Sequence, residues 1–260
     1  MKHPVAIRPD GTQRALARSW VPEVPVALEF NGLSYAVMMA TPRDLEDFAT
    51  GFALCEGLAA CPADLADIAE AQVNLGWIVR ASLTGVGIDK LTERVRSRVA
   101  ESSCGLCGIE NLAEVARVLP TVAPHTRIAP AAIFSALSRL RDLQPLGLET
   151  GAAHAAAFVS ADGTIGTVRE DVGRHNALDK LIGAMARAGC LLSPGFVLST
   201  ARCSYEIVEK SVRAGATTLV TLSLPTSMAV ERARASGLSL WALARDDEVI
   251  LVNDAAAFPA

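Results

Sequence analysis

The sequence predicts an α/β protein of two lobes, a smaller α+β lobe over residues 1–125 and a larger α/β lobe over residues 126–260. In the second half, apolar strand-like runs alternate with helical patterns, an order typical of a sheet with helices packed on it. Between the halves, Pro120, Pro124 and Pro130 interrupt this rhythm and mark the boundary. With 260 residues, 51% of them hydrophobic, the chain is long and apolar enough to bury a substantial core.

The first lobe begins with a hairpin. Residues 26–40 alternate in a strand-like way around Asn31-Gly32, a dipeptide typical of two-residue hairpin turns. The next segment predicts a helix that starts at Thr41, with this threonine as the N-cap and a proline in the first turn. Apolar residues then keep helical spacing until Gly57, which lies near the helix end. A further strand is predicted over residues 72–83.

The remaining elements follow in order. A charged helical stretch over residues 92–99 leads into a Cys-Gly-Leu-Cys segment, and a second helix is predicted over residues 109–118. In the second lobe, helices are predicted at about 131–142, 175–188, 204–214 and 226–236. Strands are predicted as a pair around Asp162-Gly163, at 196–199, at 217–222 and as a closing pair over 238–252.

The composition argues against several classes of function. The net charge is −4 and no block of five or more like charges occurs, so the sequence offers no compositional basis for nucleic-acid binding. It also has no apolar stretch typical of a membrane span, and the first thirty residues lack an apolar segment of signal-peptide length. We therefore expect a cytoplasmic protein with neither nucleic acid nor membrane as partner.

Six cysteines in a reducing compartment do not predict a disulfide framework. Cys55, Cys190 and Cys203 are expected to be small buried residues. Cys104 and Cys107 differ, because they form a Cys-x-x-Cys pair directly before a predicted helix. Unpaired amides and the helix dipole at such a position lower the pKa of a thiol, and two thiols at this spacing can act together.

Three functions compete for this cysteine pair. A structural zinc site needs four ligands, usually from two such pairs, and the sequence has no second pair. A zinc deaminase needs a His-x-Glu or Cys-x-Glu partner, and the glutamate is missing after His125, His154 and His175. A dithiol redox or sulfur-carrying role therefore fits better than a metal site.

The segment Glu170–Gly183 concentrates polar residues at a strand-to-helix turn, where Arg174, His175 and Asn176 follow one another. Such a turn at a helix N-terminus suits a phosphate or a heterocycle. A structural alternative is that Asp171 caps the helix and that Arg174 pairs with an acid. That alternative explains the cap and the arginine, but it leaves the histidine and the asparagine beside them without a role.

Three further turns are polar. His154 lies among small residues that leave space for a ligand, although a hydrogen-bonded core histidine fits equally well. The turn Ser199–Glu206 suits an anion, although an ordinary helix cap accounts for Ser204. The turn Leu243–Glu248 is by default a solvated hairpin. Together these turns lie on one α/β lobe, where ligands bind at strand ends.

Taken together, these segments resemble the formate dehydrogenase accessory sulfurtransferase family, the FdhD family, over nearly the whole chain. The segments that carry the resemblance are Thr41–Asp44, Glu56-Gly57, Cys104–Gly108, Thr150–His154, Glu170–Gly183, Ser199–Lys210 and Ala216–Ala229. The departures are Ala152, where the family often has a second glycine, and Ala201 and Cys203, which vary a Ser-x-Arg-x-Ser turn.

The resemblance implies a second lobe like the three-layer fold of cytidine deaminases, without their zinc, and a homodimer. It also implies a sulfur relay. A cysteine desulfurase hands a sulfane sulfur to the Cys-x-x-Cys segment, and the resulting persulfide passes sulfur to the metal of Mo-bis(molybdopterin guanine dinucleotide), or its tungsten form. The sulfurated cofactor is then inserted into formate dehydrogenase. This cofactor is a bound substrate, and no structural metal is implied.

For the relay we expect Cys104 to carry the persulfide and Cys107 to assist. The family's cofactor contact maps onto the last hairpin, at Leu243, Ala244, Arg245, Asp246, Asp247 and Glu248. To the same cofactor cleft our own interpretation adds His154, Arg174, His175 and Asn176. Two other functions stay open: a cofactor chaperone without sulfur chemistry, and a thiol–disulfide oxidoreductase.

Overall fold

The computed structural model describes residues 5–16, 18–88, 91–92, 118–122 and 126–256. Within these ranges the protein is mixed α/β, as predicted. A short hairpin of β1 (Val5–Ile7) and β2 (Gln13–Ala15), which sequence patterning did not predict, precedes a four-stranded sheet and a six-stranded sheet. No helix of the described part has the length and apolar character needed to cross a bilayer.

The four-stranded sheet belongs to the first half of the chain. Its strands are β3 (Val24–Phe30), β4 (Leu33–Ala40), β5 (Leu65–Val73) and β6 (Gly76–Leu83), in the order β4-β3-β6-β5. Asn31 and Gly32 have φ of 51° and 78°, so the predicted hairpin is confirmed with the backbone that a type I′ turn requires. The strand predicted over 72–83 is two strands, because a turn at Asn74-Leu75 separates β5 from β6.

Helix α1 (Leu45–Cys55) packs its apolar side chains on this sheet, where Phe48 and Phe52 join a core of strand residues. The predicted start of this helix at Thr41 is wrong, because the helix begins four residues later, after Asp44 with φ of 52°. Thr41 does not cap α1, since its hydroxyl donates to the carbonyl of Pro22 and accepts from the amide of Val172, and its amide and carbonyl groups make hydrogen bonds to the second lobe.

The six-stranded sheet takes all its strands from the second lobe. They are β7 (His154–Ser160), β8 (Ile165–Asp171), β9 (Gly195–Ser199), β10 (Thr218–Thr221), β11 (Ser239–Ala242) and β12 (Ile250–Asn253), in the order β12-β11-β10-β9-β7-β8. β9, β10 and β11 are parallel, whereas β7, β8 and β12 pair antiparallel with their neighbours.

Five helices accompany this sheet: α2 (Pro130–Leu140), α3 (Pro145–Thr150), α4 (Arg174–Arg187), α5 (Tyr205–Arg213) and α6 (Ser227–Ser236). The last three share one core with the sheet, and α2 packs in a second core formed by the opposite strand residues. In β9, for example, Val197 points into the first core and Phe196 and Leu198 into the second. The sheet therefore lies between two helical layers, while the deaminase-like identity of the lobe stays a prediction.

The helices and strands predicted for the second lobe are confirmed, with bounds that shift by one or two residues. Helix α3 was not predicted. It has only six residues. The amides of Leu146 and Gly147 in its first turn donate hydrogen bonds to the carboxylate of Glu170, which is distant in the sequence. The predicted helix over 109–118 and most of that over 92–99 lie outside the described residues. The lobe boundary at residue 125 stays a prediction.

Helices α1 and α4 touch backbone to backbone. A Cβ added to Gly51 would lie 1.8 Å from the carbonyl oxygen of Asp179, and one added to Gly183 would lie 1.9 Å from that of Asp47. At the same junction Asp47 binds two arginines of the second lobe, Arg169 at 2.8 Å and Arg187 at 2.6 Å. Helix α1 is thus packed into both lobes at once.

We expect Gly183→Ala to destabilise the protein although alanine favours a helix interior by about 1 kcal/mol over glycine. The added methyl group has no space, and overpacking typically costs about 1–3 kcal/mol or more. Urea unfolding measures the change. Gly87→Ala is the control, because a Cβ there meets no atom within 4 Å. Equal midpoints for the two variants would contradict the close helix crossing.

Candidate functional site

The polar turns of the second lobe meet at one edge of the six-stranded sheet. Parallel strands β9, β10 and β11 all end there, and antiparallel register brings His154, the first residue of β7, opposite Asp171, the last residue of β8. Backbone hydrogen bonds connect successive turns, such as Thr200 N–H to Ala155 O at 3.0 Å. We call this rim the polar edge; it comprises His154, residues 171–176, 200–204 and 223–226, and residues 243–248.

Four basic side chains lie together at the β8-β7-β9 end of the polar edge: His154, Arg174, His175 and Arg202. Burial lowers the pKa of His154 below its ordinary value, and the neighbouring charges of Arg174, His175 and Arg202 lower it further, while Asp171 opposes them. His154 is therefore a neutral imidazole at neutral pH. The structure brings three of the predicted site residues together here. Arg202, which was not predicted as a site residue, lies with them.

The N-termini of α4 and α5 converge at this basic end. His175 in the first turn of α4 lies 3.1 Å, Nε2 to Oε2, from Glu206 in the first turn of α5. Arg174 Nε and Ser204 Oγ are shielded from solvent, and neither has a hydrogen-bond partner within the described ranges. Buried polar atoms without partners are costly, so water or a bound polar group is expected to complete the hydrogen bonds of these two atoms.

Both structural alternatives for these residues are wrong in part. Ser204 occupies the N-cap position of α5, but its side chain makes no cap hydrogen bond. Arg174 makes no ion pair with any acid in the described part of the chain, and the carboxylate of Asp171 pairs with Lys180. Asp171 accepts a hydrogen bond from Gly173 N–H at 2.7 Å, and Gly173 rather than Asp171 is the N-cap residue of α4.

Asn176, the fourth residue predicted for the cleft, faces inward. Its side chain is 3% exposed, and its amide nitrogen donates to Asp171 Oδ1 at 3.0 Å and to the carbonyl of Met39 at 2.9 Å. In this structure Asn176 therefore positions the turn that carries Arg174 and His175.

A buried ion pair lies beneath this turn. Lys180 Nζ is 2.6 Å from Asp171 Oδ2, and both side chains are completely buried. Lys180 also donates to the carbonyl of Thr41 at 2.9 Å, while the Thr41 amide donates to Asp171 Oδ2 at 2.9 Å. We call Thr41, Asp171, Asn176 and Lys180 the Asp171 network; it joins the first lobe to the polar edge.

The turn Leu243–Glu248, predicted to contact the cofactor, has two parts. Leu243, with φ of 49°, and Ala244, which is 2% exposed, continue the β11 backbone over the sheet edge. Arg245, Asp246, Asp247 and Glu248 form an exposed turn, closed by a hydrogen bond from Arg245 N–H to Glu248 O at 2.9 Å. Since β11 lies two strands from β9 and four from β8, this turn is about 10 Å along the edge from the turn after β9 and about 20 Å from the turn after β8.

Cys104 and Cys107 lie outside the described residues, so their predicted roles stay predictions. Among the described cysteines, Cys203 is buried as predicted, and burial raises its pKa to about 12. Burial and the charge of Asp179 raise the pKa of Cys55 well above its ordinary value. The prediction for Cys190 is wrong, because the chain turns at Gly189 beyond the end of α4 and leaves this thiol exposed. Cys61 is exposed as well.

The chain is similar to known proteins over most of its length. The sequence model of the FdhD/NarQ family matches residues 21–257. A protein of Variovorax paradoxus (strain S110) named sulfur carrier protein FdhD is 44% identical, over 90% of this chain and 84% of that protein. Proteins with the same name from Bordetella petrii and Cupriavidus necator are 42% and 45% identical, over 89% and 86% of this chain and 83% and 77% of theirs.

The fold also has a match among solved structures. A crystal structure of a protein from Desulfotalea psychrophila, described as a formate dehydrogenase accessory protein, superposes with a TM-score of 0.73. The match covers 98% of this chain and 96% of that one, at 24% sequence identity. At that identity the likeness establishes the fold.

We expect Lys180→Met to cost about 3–5 kcal/mol of unfolding free energy, because it leaves the Asp171 carboxylate buried without its partner charge. Arg80→Met is the matched control, since the Arg80–Glu29 pair is exposed and such pairs contribute about 0–1 kcal/mol. Urea unfolding compares the two variants. Adding Asp171→Asn to Lys180→Met should recover part of the loss, and equal stability of the two single variants would contradict the role of the buried pair.

Alkylation of the native protein at pH 8 should modify Cys61 and Cys190 rapidly and leave Cys55 and Cys203 unmodified. The first two thiols are exposed, whereas the second two are buried and held in the thiol form. Peptide mapping by mass spectrometry identifies the labelled sites, and repetition in urea provides the fully labelled reference. Labelling of native Cys203 as fast as Cys190 would contradict its burial.

Proposed function

The chain belongs to the FdhD/NarQ family, and we therefore propose that it is a sulfur carrier that serves formate dehydrogenase. The observation that carries this proposal is the near full-length similarity to relatives named sulfur carrier proteins, which reaches 90% of this chain and 84% of the Variovorax protein. The accessory-protein description of the Desulfotalea structure supports formate dehydrogenase as the enzyme that is served.

In the proposed loading step, Cys104 receives sulfur from a cysteine desulfurase. The Cys104 thiolate attacks the terminal sulfur of the desulfurase persulfide, a new S–S bond forms on Cys104, and the desulfurase thiol leaves. The sulfane sulfur keeps its oxidation state, so this transfer needs no external oxidant. A low thiol pKa and an accessible position favour the attack.

In the proposed delivery step, the Cys107 thiolate attacks the inner sulfur of the Cys104 persulfide. A Cys104–Cys107 disulfide forms and hydrosulfide leaves for the metal of the bound substrate, so the dithiol supplies the two electrons that reduce sulfane sulfur to sulfide. A dithiol reductant of the cell then restores both thiols. This scheme assigns each cysteine a separate role. Because it moves sulfur from the desulfurase to the substrate, the proposed activity is that of a sulfurtransferase.

The proposed substrate is Mo-bis(molybdopterin guanine dinucleotide), held at the polar edge. Its phosphates and guanosines need basic and polar partners at strand ends, and the edge offers Arg174 and His175 at one end and the turn Leu243–Glu248 toward the other. Arg174 Nε and Ser204 Oγ, which are shielded from solvent and have no hydrogen-bond partner in the described part of the chain, fit an anionic group of this kind. The cytoplasm as its compartment and a homodimer as its assembly belong to the same proposal.

A cofactor chaperone without sulfur chemistry is the second candidate function. The polar edge favours it, because that edge is built from described residues that include no exposed cysteine. Under this alternative, ligand binding persists and the Cys-x-x-Cys pair is dispensable. A thiol–disulfide oxidoreductase, in contrast, would reduce generic disulfides and bind no guanine nucleotide.

Intact-protein mass spectrometry after incubation with a cysteine desulfurase and cysteine tests the proposal. All proteins should carry Cys61→Ser and Cys190→Ser, because these exposed thiols could accept sulfur adventitiously. The parent should gain the mass of one sulfur atom, Cys104→Ser should lose that gain, and Cys107→Ser should keep the sulfur bound for longer.

The control is the parent incubated with desulfurase but without cysteine. Gain of sulfur by the Cys104→Ser variant equal to that of the parent would overturn Cys104 as the carrier. If no protein gains sulfur although the desulfurase is shown to be active, the chaperone function is favoured instead.

A further inference from the structure

A cavity lies at the end of the six-stranded sheet opposite the polar edge. It is formed on the side of the sheet that faces α2, where β10 and β11 begin and β12 ends. The segment that leads into α2 forms one wall, and the residues after β12 form another. The cavity volume is about 160 Å³. An apolar cavity of about 150 Å³ accommodates benzene, so this one suits a small ligand with an apolar body of about six carbon atoms.

The inner surface of the cavity is apolar. Trp241 of β11 and Leu251 of β12 lie opposite each other in the strand pair, and both line the cavity. Ile128 contributes a third apolar side chain from the segment before α2. Trp241 packs against the core that α2 forms with the sheet, whereas Leu251 is 42% exposed. An aliphatic group bound here would remove apolar surface from water, which favours binding.

Two opposite charges also line the cavity. Arg127 belongs to the wall before α2, and Asp254 directly follows β12. Among the residues that the structure describes, neither side chain takes part in a salt bridge or a hydrogen bond, and the two are not paired with each other. A guanidinium and a carboxylate that are both unpaired complement a ligand that has one carboxylate and one ammonium group.

Neighbouring contacts hold both charged residues in position. Ser239 Oγ at the start of β11 accepts a hydrogen bond from Ala255 N–H at 3.2 Å, which fixes the backbone beside Asp254. On the other wall, Ile128 is 7% exposed and anchors the segment of Arg127 in the core beneath α2. The two charges are therefore presented by ordered backbone, which reduces the ordering cost of binding.

We propose that this cavity is a binding site for a free α-amino acid with an aliphatic side chain of up to the size of leucine. Arg127 binds the carboxylate, Asp254 binds the ammonium group, and the side chain packs on Trp241 and Leu251. The hydroxyl of Thr218 lines the same cavity and adds a hydrogen-bonding group. The inference is independent of the proposed sulfur chemistry, because the described residues that line the cavity include no cysteine and lie away from the polar edge.

Proton–nitrogen NMR of the full-length chain, titrated with L-leucine, tests the site. The chain has three tryptophans, and the indole N–H resonance of Trp241, assigned with Trp241→Phe, should shift while those of Trp20 and Trp77 stay in place. Ligands of this size bind with a Kd of about 1 mM, so the titration should extend to about 20 mM. An unchanged Trp241 resonance over this range would overturn the proposal.

Replacement of either charge should weaken leucine binding. Arg127→Gln and Asp254→Asn should each raise the Kd about 10-fold, since each removes a charge-assisted hydrogen bond. Arg141→Gln and Asp142→Asn are the matched controls. These exposed residues follow α2 at its far end, about 16 Å along the helix, and should leave the Kd unchanged. A Kd equal to that of the parent in Arg127→Gln or in Asp254→Asn would contradict the pairing of both charges with the ligand.

Analogues of leucine separate recognition of both charges from simple apolar contact. Isocaproate lacks the ammonium group and leucinamide lacks the carboxylate, so each should bind about 10-fold more weakly than leucine. Glycine retains both charges, but it should bind at least about 10-fold more weakly because it has no side chain to pack on Trp241 and Leu251. If isocaproate binds as tightly as leucine, the cavity is an apolar depression and the amino-acid site is excluded.

Discussion

The completely buried ion pair of Asp171 and Lys180 is the interaction on which the arrangement of this protein depends. Two charges removed from water are tolerable only when hydrogen bonds satisfy them fully, and here the partners come from both lobes. Thr41 supplies its amide and carbonyl groups from the first lobe, while Gly173 and Asn176 supply donors from the second. Separation of the lobes would remove the Thr41 hydrogen bonds from both charges. The network therefore specifies how the lobes meet and holds the turn of Arg174 and His175 in place.

A second constraint acts beside the first. Gly51 and Gly183 let α1 approach α4 until backbones touch, which places Asp47 between Arg169 and Arg187. Deeper in the same junction, Lys210 of α5 binds both carboxylate oxygens of Asp179 at 2.7 and 2.8 Å and lies over the ring of Phe52. Helix α1 therefore belongs to the core of the first lobe and also forms part of the support of the polar edge.

This support explains how the polar edge can keep unsatisfied groups. Among the residues that the structure describes, Arg174 Nε and Ser204 Oγ have no hydrogen-bond partner, which costs stability, and the Asp171 network beneath them offsets that cost. In the proposed function, the edge is preorganised for a ligand, with a basic end near β7 and β9 and an acidic end after β11. Preorganisation of this kind reduces the ordering cost of binding.

The sequence by itself determined the α/β class, the hairpin at Asn31-Gly32 and nearly every element of the second lobe, because periodicity and turn residues act locally. The set of polar turns and the family followed from local motifs in the same way. Only the tertiary structure decided that Thr41 binds the second lobe, that Glu170 caps α3 and that the Asn176 side chain is buried against Met39 and Asp171. It also placed Arg202 beside His154. These outcomes depend on partners up to 139 residues apart in the chain, and the free energy of such contacts outweighs local preferences that a sequence pattern can express.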